Sequence, residues 1–176
     1  MELNKYFLFG FYKKDLNRVN PLGLGGKLAT AYANLMRDMW LAQGANESFS
    51  RGIAPYDLKK TLGKRVQRFS GYGQQDSAEL VSFLIDLLHE DTNRVLQKPF
   101  KELSEEEGRS DETVAAEYWD AYTARNKSII VDIMTGQLKS TVTCVDCGWV
   151  SVSFDPMQSI QVPIPKAITV DVTYVF

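Results

Sequence analysis

Gly71-Tyr72-Gly73-Gln74-Gln75-Asp76-Ser77-Ala78-Glu79-Leu80 is the run whose reading decides the fold of this chain. A Gly-Tyr-Gly turn leads into two primary amides and a carboxylate, and a strongly apolar stretch follows at once. Asp76 with Glu79 three residues later matches a capping-box pattern, which predicts Asp76 as a helix N-cap. Gln74, Gln75 and Asp76 then sit on an exposed loop at a rigid helix end, a good place to grip an extended peptide. A well-capped helix whose glutamines face water accounts for the same letters.

Downstream of Asp76 the helix is expected to reach about Leu96. Leu80, Val81, Phe83, Leu84, Leu87, Leu88 and Val95 form a wide apolar stripe along it, as a central helix requires. Upstream, the turn signal Asn20-Pro21-Leu22-Gly23 precedes a helix from about Gly26 to Trp40, with Leu28, Ala31, Tyr32, Leu35, Met36 and Met39 on one face. A short helix from about Pro55 to Leu62 starts on a proline and stops at Gly63, with Leu58 and Leu62 on its buried side. Lys101 to Glu112 is acid-rich and reads as a mobile loop; a further helix spans about Thr113 to Arg125, with Val114, Tyr118, Trp119 and Tyr122 facing inward.

From Ser128 the apolar period changes from about 3.6 to about 2. Ile129 to Ile133 reads as a strand, Thr135-Gly136 as a hairpin turn, and Leu138 to Thr143 as the return strand. Cys144-Val145-Asp146-Cys147-Gly148 is a tight turn. Trp149–Phe154, Ile160–Val162 and Ile168–Tyr174 alternate as further strands, the last two separated by Pro163 and Pro165. The class is α+β: a helical region over 1–127, then antiparallel strands over 128–176, in one continuous unit.

A chain of 176 residues can bury a core of its own. Its hydrophobic content of 44%, charged content of 24% and net charge of −2 are ordinary for a globular protein and argue against nucleic acid as the main partner. No apolar run reaches the roughly 18 residues a membrane span needs, and the N-terminus lacks the basic-then-apolar pattern of a signal peptide. With only two cysteines a disulfide scaffold is excluded, and an intracellular, reducing compartment, cytoplasmic or nuclear, is the expectation.

Chemistry-bearing groups are few. Cys144 and Cys147 form a C-x-x-C knuckle whose bite suits a tetrahedral zinc, but a zinc wants four ligands and no second pair follows. Half a zinc ribbon and two reduced thiols in a turn are both open readings. Cysteine-nucleophile catalysis needs a thiolate beside a histidine base. The single histidine, His89, lies within the central helix between Leu88 and Glu90, where a structural role fits it better than that of a base. Gly23-Leu24-Gly25-Gly26 is not preceded by a strand nor followed by a lysine in phosphate-loop register, and reads as flexible turn chemistry. On internal grounds the chain carries one recognition loop and half a metal site.

Taken in order, these segments resemble the ubiquitin-specific protease family of deubiquitinating cysteine proteases. Asn20-Pro21-Leu22-Gly23 and the helix ending Met39-Trp40 are similar to the thumb of that fold. Phe69-Ser70-Gly71-Tyr72, Gln74-Gln75-Asp76-Ser77, Glu79-Leu80, Phe83-Leu84 and Leu87-Leu88-His89-Glu90-Asp91-Thr92-Asn93 are similar to its second signature. Cys144-Val145-Asp146-Cys147 and Val150–Pro156 resemble the first half of its zinc-binding fingers, and Gln161-Val162-Pro163-Ile164-Pro165 a palm strand.

The resemblance implies a papain-like fold, incomplete here, and a parent protein that removes ubiquitin from conjugates by thiol-dependent hydrolysis at the ubiquitin C-terminal glycine. It places Asp76 against the arginine-bearing, Gly-Gly-ended tail of ubiquitin. Gln74 would lie near the tail backbone or the oxyanion, and Glu79 would be a further contact or part of the cap. Cys144 and Cys147 would be the first zinc pair. Ala78 stands where the family often has glutamine. The family's catalytic cysteine and histidine boxes are absent, so the fragment alone is expected to be inactive. A non-catalytic ubiquitin-binding or scaffold module is the alternative. Ubiquitin and ubiquitinated proteins are the expected partners, with no nucleic acid, no membrane, and self-association through strand edges.

Overall fold

Three serine or aspartate side chains mark where helices begin in this computed structural model, which describes residues 2–41, 52–103 and 109–163. Asp76 caps α4 (Ser77–Asp91), Ser110 caps α5 (Asp111–Thr123) and Ser128 caps α6 (Ile129–Met134). Each sits in extended backbone and accepts a first-turn N–H with its side-chain oxygen, satisfying a donor that the helix itself cannot. Before them come α1 (Glu2–Leu8), α2 (Lys27–Leu41) and α3 (Tyr56–Arg65). Strands β1 (Gly136–Thr143) and β2 (Val150–Met157) follow as an antiparallel hairpin, in register from Gly136 opposite Met157 to Thr143 opposite Val150. The arrangement is α+β. Among the described residues, no helix is long and apolar enough to cross a membrane.

One core joins the helices. Tyr6, Phe7 and Tyr12 pack with Leu28, Ala29 and Ala33 of α2, Leu62, Val66 and Phe69 around the end of α3, Leu87 and Leu88 of α4, and Ile130 of α6. The buried face of α2 is centred on Leu28, Ala29 and Ala33, whereas Met39, expected inside, is exposed. The small alanines are the ones buried, and the edge of the Tyr32 ring meets Phe7 at a centroid distance of 4.9 Å. The hairpin packs on α5 instead: Phe154 is buried edge-on to Tyr118, and Gln137 Nε2 donates to the Ala115 carbonyl at 3.0 Å.

Several sequence expectations give way in the structure. The central helix stops at Asp91, not near Leu96, because Thr92 closes its last turn. The Thr92 N–H donates to the Leu88 and His89 carbonyls, and its hydroxyl to Leu88 at 2.7 Å. Asn93 then leaves the helical path to serve the Val95 and Lys127 N–H groups and the Arg125 carbonyl. Ile129–Ile133 is helical although it is β-branched, since the Ser128 cap starts a helix that buries Ile130 and Val131. With that strand gone, Thr135-Gly136 leads into β1 rather than turning a hairpin, and Cys144–Trp149 makes the turn.

Gly63 does not stop α3, which continues to Arg65. A Cβ there would come within 3.0 Å of Ser70 Cα, so the glycine permits a close approach. Gly26, read as flexible, is held at φ +81° against Leu16, whose Cδ2 would lie 2.8 Å from an added Cβ. Ile160–Val162 forms no strand, and Ile168–Tyr174 lies outside the described residues.

The end of α4 fastens to the start of α2. The fully buried Asp91 accepts from Leu24 N at 2.6 Å with Oδ1 and from Leu28 and Ala29 N at 2.9 and 3.1 Å with Oδ2. It therefore caps α2 from a residue far along the chain. Asn20 Nδ2 reaches the neighbouring Glu90 carbonyl at 3.0 Å, and Lys98 Nζ pairs with the Glu90 carboxylate at 3.1 Å. His89 is buried, with Nδ1 2.7 Å from Ser128 Oγ and Nε2 3.3 Å from Asn126 Oδ1. Both of its ring nitrogens serve the junction between α4 and α6.

Two measurements test this junction. Asp91→Ala leaves three N–H groups without their acceptor and is expected to cost about 2–5 kcal/mol in urea unfolding. Asp91→Asn, which keeps an acceptor, should cost less; a loss below ~1 kcal/mol for the alanine variant would remove the role. Burial holds the His89 pKa below its usual 6.5, against the opposing pull of Glu90 and of the Asn126 bond. The folded chain thus takes up this proton less readily than the unfolded one, so stability is complete above 6.5 and declines as pH falls through the lowered folded-state value. His89 is the only histidine, so the urea midpoint of wild type should fall more steeply than that of His89→Gln between about pH 7 and about pH 5. Parallel curves would contradict this.

Candidate peptide-binding site

The Gly71–Asp76 loop leaves a 3₁₀ turn at Gln67–Phe69 and returns at the N-cap of α4. Its far end is fixed by geometry that the sequence anticipates. Asp76 Oδ1 accepts from Ala78 N at 2.7 Å and Glu79 N at 3.1 Å. Oδ2 has no partner among the described residues. The side chain is exposed, and one of its oxygens holds the helix while the other is left for a further partner. The positive end of the α4 dipole adds to the stability of a carboxylate here.

The reciprocal half of the expected capping box is missing. Glu79 does not reach back to the Asp76 backbone; its Oε1 pairs with Arg68 Nη1 of the preceding 3₁₀ turn. The ring of Phe83 lies 5.6 Å from the Arg68 guanidinium and stacks edge-on with Phe69, which gives that arginine a fixed seat.

Beside the loop lies an open cleft of about 380 Å³ between α3 and α4. Leu58 and Leu62 of α3, Phe69, and Leu80 and Leu84 of α4 form its floor, while Gly71, Tyr72, Gly73 and Gln75 form one rim. Its lining is overwhelmingly apolar. Tyr72 is 97% exposed yet held in place by Lys59, whose ammonium sits 4.0 Å from the ring centroid. The first turn of α4 stays open too, with Leu80 and Val81 accessible. A charged loop edge over an apolar trough can take an extended segment in which basic and aliphatic side chains alternate.

Of the residues expected in the site, none lines the cleft itself: Gln74 and Asp76 are exposed and Glu79 half-buried beside it in sequence, while Gln75 is the amide that lines the cleft. Sequence reading missed Arg68, Lys59 and Tyr72 as parts of this site, along with the cleft itself. The helical spacing of Leu58 and Leu62 marked the right face of α3, but nothing in the letters showed that part of it stays uncovered.

Cys144 and Cys147 lie elsewhere, in the turn at the tip of the hairpin. Cys144 N donates to the Trp149 carbonyl at 2.8 Å and Gly148 N to the Cys144 carbonyl at 3.0 Å. The backbone N–H groups of Cys147 and Asp146 point at the Cys144 sulfur and lower its pKa, helped by the Cys147 thiol. Backbone donors beside a thiol favour the ionised form in which it ligates a metal. No group of three or more His, Cys, Asp or Glu residues that could hold a metal occurs among the described residues.

Comparison with known sequences sets this geometry in context. The sequence model described as ubiquitin carboxyl-terminal hydrolase matches residues 2–172. Ubiquitin carboxyl-terminal hydrolase 32 of Homo sapiens is 45% identical over 163 residues, which is 93% of this chain and 10% of that protein. Ubiquitin carboxyl-terminal hydrolase 9 of Arabidopsis thaliana is 44% identical over 169 residues, 96% of this chain and 18% of that protein. Ubiquitin carboxyl-terminal hydrolase 4 of Bos taurus is 46% identical over 163 residues, covering 93% and 16%. The chain thus spans less than a fifth of the length of these relatives.

Proposed function

Because the chain belongs to the ubiquitin carboxyl-terminal hydrolase family, we propose that its Gln74–Asp76 loop holds the C-terminal tail of ubiquitin while a parent protein cleaves the bond beyond the tail's last glycine. The observation that carries this reading is the divided carboxylate of Asp76. Oδ1 fixes the loop to α4 and Oδ2 is left to accept from a guanidinium or a backbone N–H of the tail. The adjoining trough would supply apolar contact for the tail's aliphatic side chains, and the exposed Gln74 would bond the tail backbone.

The hydrolytic step, thiolate attack followed by an acyl-enzyme, is assigned to a cysteine and a histidine other than those described. His89 has both ring nitrogens engaged by Ser128 and Asn126, and the two thiols sit in the hairpin turn. Cys144 and Cys147 are proposed as half of a zinc site completed by two ligands from outside the described residues. When bound, the metal would fix the hairpin tip. The same lack of a thiol–imidazole pair favours a second reading, a ubiquitin-binding module without catalysis.

Asp76→Asn separates grip from cap, since asparagine caps a helix as well as aspartate does. Binding of ubiquitin should weaken about tenfold or more, the scale of a charge-assisted bond, with little change in thermal stability. Unchanged affinity removes the role of Asp76. A ubiquitin probe with a thiol-reactive C-terminus separates the two functional readings. The 176-residue chain should form no adduct, while a parent enzyme should be labelled outside this segment. An adduct on Cys144 or Cys147 would overturn the assignment of those thiols.

A further inference from the structure

We propose that Arg68 is a resident competitor in the site: its guanidinium occupies Glu79 in the unbound chain, and an arginine of the incoming tail must displace it. The inference rests on the tail-binding reading above and adds a competitor built into the site. Glu79 is the acidic side chain one turn from Asp76, and its own N–H is tied to Asp76 Oδ1. A cationic tail approaching Asp76 therefore meets Glu79 next, and finds it already paired.

The pair is built to exchange. Both side chains are substantially exposed, at 50% for Arg68 and 36% for Glu79, so water screens their attraction and little is lost when they separate. Arg68 also keeps a second seat over the Phe83 ring when it leaves the carboxylate. Arg68 meets Glu79 through Nη1 alone, whereas a ligand arginine can present both ends of its planar fork to the carboxylate and displace it. Arg68 thereby raises the threshold for every cationic peptide that engages Glu79.

The test uses fluorescence anisotropy on the 176-residue chain with two labelled synthetic peptides, one bearing two arginines and ending in Gly-Gly, the other with both arginines replaced by lysine. Arg68→Gln should bind the arginine peptide about two- to fivefold more tightly than wild type, the scale of an exposed ion pair. The lysine peptide should gain by no more than the arginine peptide, because the resident pair is the same obstacle to both. In a Glu79→Gln background, Arg68→Gln should change nothing. Weaker or unaltered binding by Arg68→Gln would overturn the proposal, the former showing that Arg68 positions Glu79 instead. An equal gain in the Glu79→Gln background would reduce the effect to general charge and overturn it as well. If Asp76→Asn loses affinity while Arg68→Gln gains none, the tail-binding reading stands and displacement fails. If Asp76→Asn binds as wild type does, that reading fails whatever Arg68 does. No saturable binding by any variant ends both.

Discussion

A single buried carboxylate sets the geometry on which the site depends. Asp91 ends α4 and, with both oxygens, takes the N–H groups that open α2. A helix start normally finds its cap a residue or two away. Here the cap comes from 62 to 67 residues downstream, so it is also a tertiary bond. Such a link exists only when α4 stops at the right place. The residues that stop it, Thr92 and Asn93, are themselves buried and bonded. Removing the side chain of Asp91 or Asn93 leaves N–H donors without their acceptor, the costliest way to lose a hydrogen bond.

Pinning α4 at its C-terminal end has a consequence at the other end. Leu87 and Leu88 are drawn into the core, and exposure then rises steadily toward the N-terminus, through Phe83 and Leu84 to Leu80 and Val81. The Gly71–Asp76 loop lies over this open first turn. The helix is thus anchored at one end and open at the other, so a loop with no buried residue of its own is still held by a stiff support. The side chains from His89 to Asn93 are the structural half of that division, and Gln74 to Glu79 the exposed candidate half.

What the sequence made legible follows the same division. Asp76 as N-cap, the helical spacing of α2 to α5, the Cys144–Gly148 turn and the strand preceding it were all readable, because each is decided by neighbours along the chain. The exceptions are decided across it. Ile129–Ile133 carries strand letters, yet the contacts of α6 with α1 and α4 and the Ser128 cap outweigh that preference. The early stop of α4 was hidden because Asn93 bonds Arg125 and Lys127, residues that no local pattern links to it. Leu58 and Leu62 were rightly taken as an apolar face, but whether such a face ends in a core or beside an open trough depends on which helix lies opposite and how far away. The Arg68–Glu79 pair failed to show for the same reason: a Glu at the third helical position ordinarily predicts a capping box, and a guanidinium from outside the helix claimed it.

That last substitution of partners changes what the loop exposes. A completed capping box would turn the Glu79 carboxylate back upon the Asp76 backbone N–H, leaving it less available to a ligand. With Glu79 paired to Arg68, its bond is of the exposed kind, contributing about 0–1 kcal/mol, whereas a desolvated charge-assisted contact to a bound peptide contributes about 1.5–3 kcal/mol. On the proposed reading that difference would favour exchange on binding. The balance would reverse if Arg68 were buried, since a desolvated pair resists separation. The exposed Arg68–Glu79 pair and the fully buried Asp91 thus mark the two extremes of charge in this structure, one easily parted and one fixed.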